Sequence, residues 1–224
     1  GFNTRRREVV TMLVLGDAHA NVPERRRALF AAYRAAGQEL ALQAGDLMFY
    51  DLPTPTYFIA GNNEVFDVIA ALRFGLLERS DVHNAHLLHS TAVDVAGLRV
   101  AGLSGNFAPS RYNRPRESLT GDRRRHFTAD DVARAKTLGG VDVFLAHEAP
   151  NGLPVSESYD VGCGYIDEIL DALDPDLCLV GHHHEHAETT LGDTSVVSLA
   201  PAWESYYVLD RETLAVERYE TPPA

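Results

Sequence analysis

Two cysteines, Cys163 and Cys178, are all that the 224 residues contain. That is too few for a disulfide framework and points to a reducing compartment with two small buried thiols. No apolar run approaches the ~20 residues of a membrane-spanning helix, so no membrane partner is expected. The chain opens without the apolar segment of a secretory signal, which makes the cytoplasm the expected compartment. Lysine is scarcer still: Lys136 is the only one among twenty basic residues, a bias that reflects genome composition or a salt-adapted source and not function. Net positive charge is missing as well. A formal charge of −12 excludes a general, whole-surface affinity for nucleic acid, while leaving a local basic patch open. Internal repeats, linkers and low-complexity stretches are absent. Residues 12–224 are therefore expected to form a single domain behind a flexible N-terminal lead at 1–11, with no indication of oligomeric state.

What is present is organised around Leu13-Val-Leu-Gly-Asp-Ala-His-Ala-Asn21. Residues 9–15 are apolar and β-rich, as in a strand covered on both faces. Gly16 lets the chain turn, leaving Asp17 and His19 at the strand's C-terminal end, where open α/β sheets place their ligand crevices. The same grammar returns four times. A strand over 39–44 ends in Gly45-Asp46, one over 56–60 in Gly61-Asn62-Asn63-Glu64, one over 141–146 in His147, and one over 177–180 in Gly181-His182-His183-His184. Helices are expected over 23–37, after Glu64 to about 75, over 128–138 with Thr128 as N-cap, and over 163–173. The alternation through 83–105 suggests a second, more antiparallel sheet, and 187–218 reads as a meander of short strands.

Two carboxylates, an amide oxygen and four imidazoles are more ligands than one metal takes. They suit two ions about 3.5–4 Å apart that share a carboxylate. Mixed nitrogen and oxygen donors favour Mn, Fe, Co or Zn over Mg or Ca.

In order and spacing these segments resemble the signature of the calcineurin-like metallophosphoesterases over residues 12 to about 200. The resemblance implies an α/β fold, a four-layer αββα sandwich of two mixed β-sheets flanked by helices, with a dinuclear site at the strand C-termini. It implies that Asp17, His19 and His184 hold one ion, that Asn62, His147 and His182 hold the other, and that Asp46 bridges them. His183 has no family role. Two divalent ions would lower the pKa of a bridging water, so that hydroxide attacks in line while charge on the phosphoryl oxygens is offset. His19 and the backbone near Asn62 would orient the ester.

One position departs from the family. The residue after the metal-binding Asn is usually His, which contacts the phosphate or protonates the leaving group; here it is Asn63, whose amide cannot deliver a proton at neutral pH. His126 is the candidate substitute acid.

A finer resemblance, over about 55–150, is to the catalytic domain of RNA lariat debranching enzymes. It is carried by Tyr57-Phe-Ile-Ala-Gly-Asn-Asn-Glu64, Val100-Ala-Gly-Leu-Ser-Gly105, His126-Phe-Thr128 and Val143-Phe-Leu-Ala-His147. Residues 105–127 form a basic loop insertion whose Arg111, Tyr112, Arg114 and Arg116 are the expected substrate-binding residues, phosphate-binding charge beside stacking surfaces. The function expected is a metal-dependent phosphodiesterase of nucleotide or RNA diesters. The alternatives are a phosphomonoesterase, a cyclic nucleotide phosphodiesterase, or a catalytically weak scaffold of the same fold.

Overall fold

The computed structural model describes residues 11–75 and 80–224. In chain order the elements are β1 (Thr11–Leu15), α1 (Pro23–Ala36), β2 (Ala41–Gln43), β3 (Asp51–Phe58), α2 (Phe66–Arg73), β4 (His83–Leu87), β5 (Thr91–Val95), β6 (Leu98–Leu103), α3 (Pro109–Tyr112), α4 (Ala129–Ala135), β7 (Val143–Ala146), α5 (Gly164–Leu173), β8 (Leu177–Val180), β9 (Ala187–Leu191), β10 (Thr194–Ser198), β11 (Ser205–Asp210) and β12 (Val216–Glu220). Residues 1–10 of the expected N-terminal lead lie outside the described residues, and Thr11 already belongs to β1.

Two six-stranded mixed sheets face each other, in the orders β12-β11-β1-β2-β3-β4 and β5-β6-β7-β8-β10-β9. The inner faces supply one apolar layer, with Val14, Ile59, Val100, Leu145 and Leu179 at its centre. Leu29, Tyr33 and Ile69 pack α1 and α2 against the outer face of the first sheet, and Val132, Ile166 and Ile169 pack α4 and α5 against the second. This is the expected αββα sandwich. Its helix ends follow local chemistry. Pro23 opens α1, and Gly37 closes it in the left-handed region (φ 59°). Thr128 and Asp131 form a reciprocal capping box on α4.

The second sheet is less antiparallel than its sequence suggests. β5 and β6 do form the hairpin, but β6, β7, β8 and β10 run parallel, and β4 joins the first sheet beside β3. The expected terminal meander is two separate hairpins: β9–β10 closes the second sheet and β11–β12 the first. β3 starts earlier than expected and takes in Pro53 and Pro55, where its register with β4 shifts. Residues 105–127 are folded: α3 and two short 3-10 turns at Arg116–Ser118 and Gly121–Arg125 lead to a bridge between Asn106 and His126. Both cysteines are buried, and burial pushes the Cys178 thiol up to about 12.

Because β1, β2 and β3 are parallel, as are β7 and β8, the ends of these strands share one rim of the sandwich. The candidate residues lie on that rim.

Candidate metal centre

Asp17 and Asp46 follow β1 and β2, Asn62 follows β3, His147 follows β7, and His182 and His184 follow β8. Four of the expected residues depart from ordinary strand geometry to reach the centre: His19 (φ 43°), Asp46 (φ 53°), His182 (φ 76°) and His184 (φ 57°) all adopt the left-handed region. Non-glycine residues pay roughly 1–2 kcal/mol for that conformation, and such strain gathers at functional sites. The glycines beside them permit close approach. Gly45 sits at φ 98° with His147 Nδ1 where its Cβ would be, and a Cβ on Gly61 would fall on Asp46 Oδ1.

The rim is laced together by hydrogen bonds. Ala18 and His19 donate their N–H groups to the Asp46 carbonyl at 3.1 and 2.8 Å. The buried Gln43 ties the first two motifs, donating to the Gly16 carbonyl at 3.0 Å and the Gly45 carbonyl at 2.6 Å, and accepting from Gly45 N–H at 2.9 Å. Asp17 accepts from His182 N–H at 2.9 Å through Oδ1 and faces His184 Nε2 at 2.8 Å through Oδ2. Asp46 accepts from Asn63 N–H at 2.8 Å and from the Asn63 side-chain amide at 2.9 Å.

The charge distribution is unusual. Asp17 and Asp46 are 1% and 2% exposed, and their ligand atoms and that of His147 lie within 4.8 Å of one another. At an effective dielectric near 20, two like charges at that range repel by about 3 kcal/mol. Among the described residues no lysine or arginine pairs with either acid; only histidines do, His19 and His184 with Asp17, His19 and His147 with Asp46. His19 Nε2 is buried without a hydrogen-bond partner, 3.3 Å from Asp46 Oδ2. On the other side, His147 Nδ1 lies 2.9 Å from the Ala44 carbonyl, which can only accept, so the proton sits on Nδ1 and the Nε2 lone pair faces inward. It meets Asn62 Oδ1 at 2.8 Å and His182 Nδ1 at 3.2 Å. Acceptors converge there, as they do around a cation.

These contacts shift the titrations. Burial alone would raise the Asp46 carboxyl, yet the His19 imidazole beside it, the facing His147 and the two bonds from Asn63 hold it well below the usual carboxylate range. Burial would lower His147, but Asp17, Asp46 and the Ala44 carbonyl raise it above an ordinary histidine. The hydrogen bond to Asp17 raises His184. His182 is lowered by burial and then by His147. His183, the residue without an expected role, packs edge-on against His182, and burial brings it down to about 4.

The arginine segment is placed differently from the expectation. The Arg116 guanidinium is half-buried and bonded to Asp131 and to the carbonyls of Arg124 and His126, which engages it within the protein and not as a free phosphate contact. The Tyr112 ring is stacked on Tyr165 at 3.9 Å and packed edge-on against Phe107 and Phe127, so it serves the α4–α5 core and not as a free platform. His126 is 9% exposed and makes no hydrogen bond to the cluster; burial, then Arg125, lowers its pKa, the wrong direction for an acid. Arg111 and Arg114 have no carboxylate partner among the described residues.

Besides Gln43, sequence reasoning passed over three residues that the geometry brings in. Glu64, quoted in the third motif without a role, is buried and pushed up to about 7 by burial. It accepts from Gly61 N–H (2.8 Å), Met48 N–H (3.0 Å) and Tyr50 O–H (2.7 Å), fixing the loop that carries Asn62. Glu64→Ala would leave three donors unmatched, at about 1–3 kcal/mol for each buried one. A loss of at least ~3 kcal/mol is expected, seen as a melting temperature lower by roughly 6–12 °C; a shift below ~2 °C would deny Glu64 this role. The other two are Arg25 and Trp203, which lie against each other beside His19 and His184. The run of arginines at 25–27 reads as a solvated helix face, but Arg26 too is held down, on the Ala20 carbonyl and over Phe49.

A family model described as calcineurin-like phosphoesterase matches residues 4–186, a span that contains every motif from Asp17 to His184. The chain is similar to the lariat debranching enzyme of Schizosaccharomyces pombe, 26% identical over 59% of this chain and 33% of that one. To the Drosophila melanogaster enzyme of the same name it is 28% identical, over 59% of this chain and 29% of the relative. It thus spans about a third of the length of the curated relatives it matches. Among solved structures, TT1561 of Thermus thermophilus superposes with a TM-score of 0.67 at 17% identity, over 95% of this chain and 99% of the other. A dimetal phosphatase from Danio rerio gives 0.54 at 11% identity, over 96% and 99%. At those identities the likeness is one of fold. Among the described residues no helix is long and apolar enough to cross a membrane.

Proposed function

Since the chain belongs to the calcineurin-like phosphoesterase family, we propose that it is a dinuclear metal-dependent phosphodiesterase acting on nucleotide or RNA diesters. Asp17, His19 and His184 would hold one divalent ion, Asn62, His147 and His182 the other, with Asp46 shared. The observation that carries this reading is the pair of buried, facing carboxylates with only histidines for counter-charge. Each oxygen of Asp46 meets a different histidine, Oδ2 His19 at 3.3 Å and Oδ1 His147 at 3.4 Å, which suits a shared ligand. The mixture of imidazole, carboxylate and amide oxygen suits Mn, Fe or Zn. The Ala44 carbonyl behind His147 is the outer partner that fixes a ligand's tautomer.

Bound there, two such ions would supply an ionised water near neutral pH and neutralise the phosphoryl oxygens. The remaining work falls to the chain's own groups. Ala18 and His19 N–H, bonded to the Asp46 carbonyl, keep the first two motifs in register. His19, 17% exposed at its side chain, would also reach the open side and orient the ester. Asn63 can donate a hydrogen bond to a phosphoryl oxygen but not a proton to a leaving group. The name of the debranching relatives favours an RNA diester, and Arg111 and Arg114 remain as candidate phosphate contacts. A second reading, a metal-binding scaffold with weak catalysis, is favoured by Asn63 alone.

Manganese-loaded protein assayed on chromogenic diesters and monoesters decides between them. Diester hydrolysis at least about tenfold faster is expected. A monoester preference would make it a phosphomonoesterase, and full metal occupancy without turnover would make it the scaffold.

The raised histidines set a pH signature. A histidine raised in the folded state contributes stability that is complete below its unfolded value of about 6.5 and is lost as pH climbs through the folded value. Between about pH 6 and 8 the raised His147 and His184 hold protons that free imidazoles release and so contribute less stability as pH climbs, while the lowered His182 and His183 contribute in the opposite sense. Metal must displace the protons of His147 and His184, so its affinity grows over the same interval. The melting shift produced by manganese therefore widens with pH; a shift that narrows would contradict the ligand roles of these histidines.

A further inference from the structure

We propose that Arg25 and Trp203 form a subsite for the nucleotide next to the scissile phosphate, the guanidinium binding that nucleotide's phosphate and the indole its base or sugar. The inference rests on the diester reading above and adds a place for the rest of the substrate.

The Arg25 guanidinium lies 4.0 Å from the centroid of the Trp203 ring. Among the described residues Arg25 has no carboxylate partner, so its charge is held by the ring and not neutralised. Trp203 in turn stands edge-on to His184 at 5.2 Å and to His19 at 5.9 Å, which places the pair on the Asp17 side of the centre. From there a groove of about 900 Å³ leads away between the start of α1 and the end of β12, lined by Val22, Arg25, Arg27 and Trp203 together with Glu24 and Glu220. Its overall charge is balanced, so it is no general anion trap. Among the described residues Arg25 is the cation over an aromatic ring that itself packs against His19 and His184.

That combination matches a single-stranded oligonucleotide. A phosphate takes two parallel N–H bonds from a planar guanidinium, and an indole offers a stacking surface that any base can use. A substrate with one phosphate would fill the metal centre and leave the groove empty; a diester flanked by a further phosphate would reach both. The subsite thus implies preference for a strand over an isolated diester.

Trp203 is the only tryptophan in the chain, so intrinsic emission reports on this position alone. Manganese-loaded protein is titrated with a single-stranded trinucleotide while that emission is followed, and hydrolysis of a chromogenic diester with one phosphate is measured in parallel. Saturable change in emission is expected. Arg25→Ala should raise the trinucleotide's apparent dissociation constant about tenfold or more, while single-phosphate turnover and metal content stay within about twofold. Arg25→Lys, which keeps the charge but not the planar fork, should fall between, and Arg34→Ala, in the last turn of α1 and away from the groove, should match wild type. Unchanged emission, equal affinity in Arg25→Ala, or equal loss on the single-phosphate substrate would overturn the subsite. Failure of wild type to hydrolyse any diester would instead remove the proposed function, and the emission titration would still decide whether Arg25 and Trp203 bind a strand.

Discussion

Asp46→Asn is expected to reduce kcat/KM by roughly 10³-fold or more, about 4 kcal/mol of transition-state stabilisation, and to abolish the melting shift that manganese produces. The size follows from the position. Asp46 is 2% exposed, its two oxygens face His19 and His147, and its backbone carbonyl receives the N–H groups of Ala18 and His19. An amide keeps the shape and one acceptor but replaces the other oxygen with a donor and removes the charge. Under the proposed assignment both ions would lose a ligand at once. Arg114→Ala removes one exposed cation and should cost less than about tenfold. Comparable losses for the two variants would show that Asp46 is not shared. Metal content separates the chemical effect from simple unfolding: the variant should melt as a folded protein with fewer ions bound.

The second large effect runs the other way. Asn63→His is expected to accelerate hydrolysis of diesters with poor, alkoxide leaving groups by about 10²- to 10⁴-fold, the usual worth of general-acid assistance. Its effect on p-nitrophenyl esters should be slight, because p-nitrophenolate departs without a proton. The exposed Asn63 side chain donates to Asp46 Oδ2 at 2.9 Å, so it already stands beside the carboxylate proposed to be shared. Losing that bond costs about 1 kcal/mol, small against the roughly 3–5 kcal/mol gained in the barrier. A leaving-group-dependent gain identifies proton delivery as what this chain lacks. A uniform gain, or a uniform loss, would place residue 63 in binding or structure instead. His126 does not compensate in this geometry, being buried, lowered in pKa and bonded away from the cluster.

The rim was legible because its signal is local. Each motif pairs an apolar strand with a glycine or a tight turn and then a ligand type, and parallel strands bring such ends to one edge whatever their order in the sheets. Helix limits were legible for the same reason: Pro23, Gly37 and Thr128 act on their immediate neighbours. Alternation in 83–105 and short strands on to about 218 announce strands but not partners, which is why β4 and the two terminal hairpins could not be assigned to a sheet. The arginine segment misled because charge in sequence does not disclose a partner. Arg116 meets Asp131 only once the 3-10 turns fold back on α4. Gln43 and Glu64 are polar residues whose importance lies in burial, which composition conceals. Trp203 and Arg25 come from opposite ends of the chain and gain meaning only when β11 brings the C-terminal segment alongside β1.

The central claim is that this rim holds two divalent ions. Calorimetric titration of metal-stripped protein with manganese, paired with elemental analysis of the reloaded protein, tests it most directly. Two ions per chain are predicted for wild type, fewer than one for Asp46→Asn, with protons released on binding at pH 6.5. Binding of a single ion, or of none, by folded wild-type protein would contradict the account.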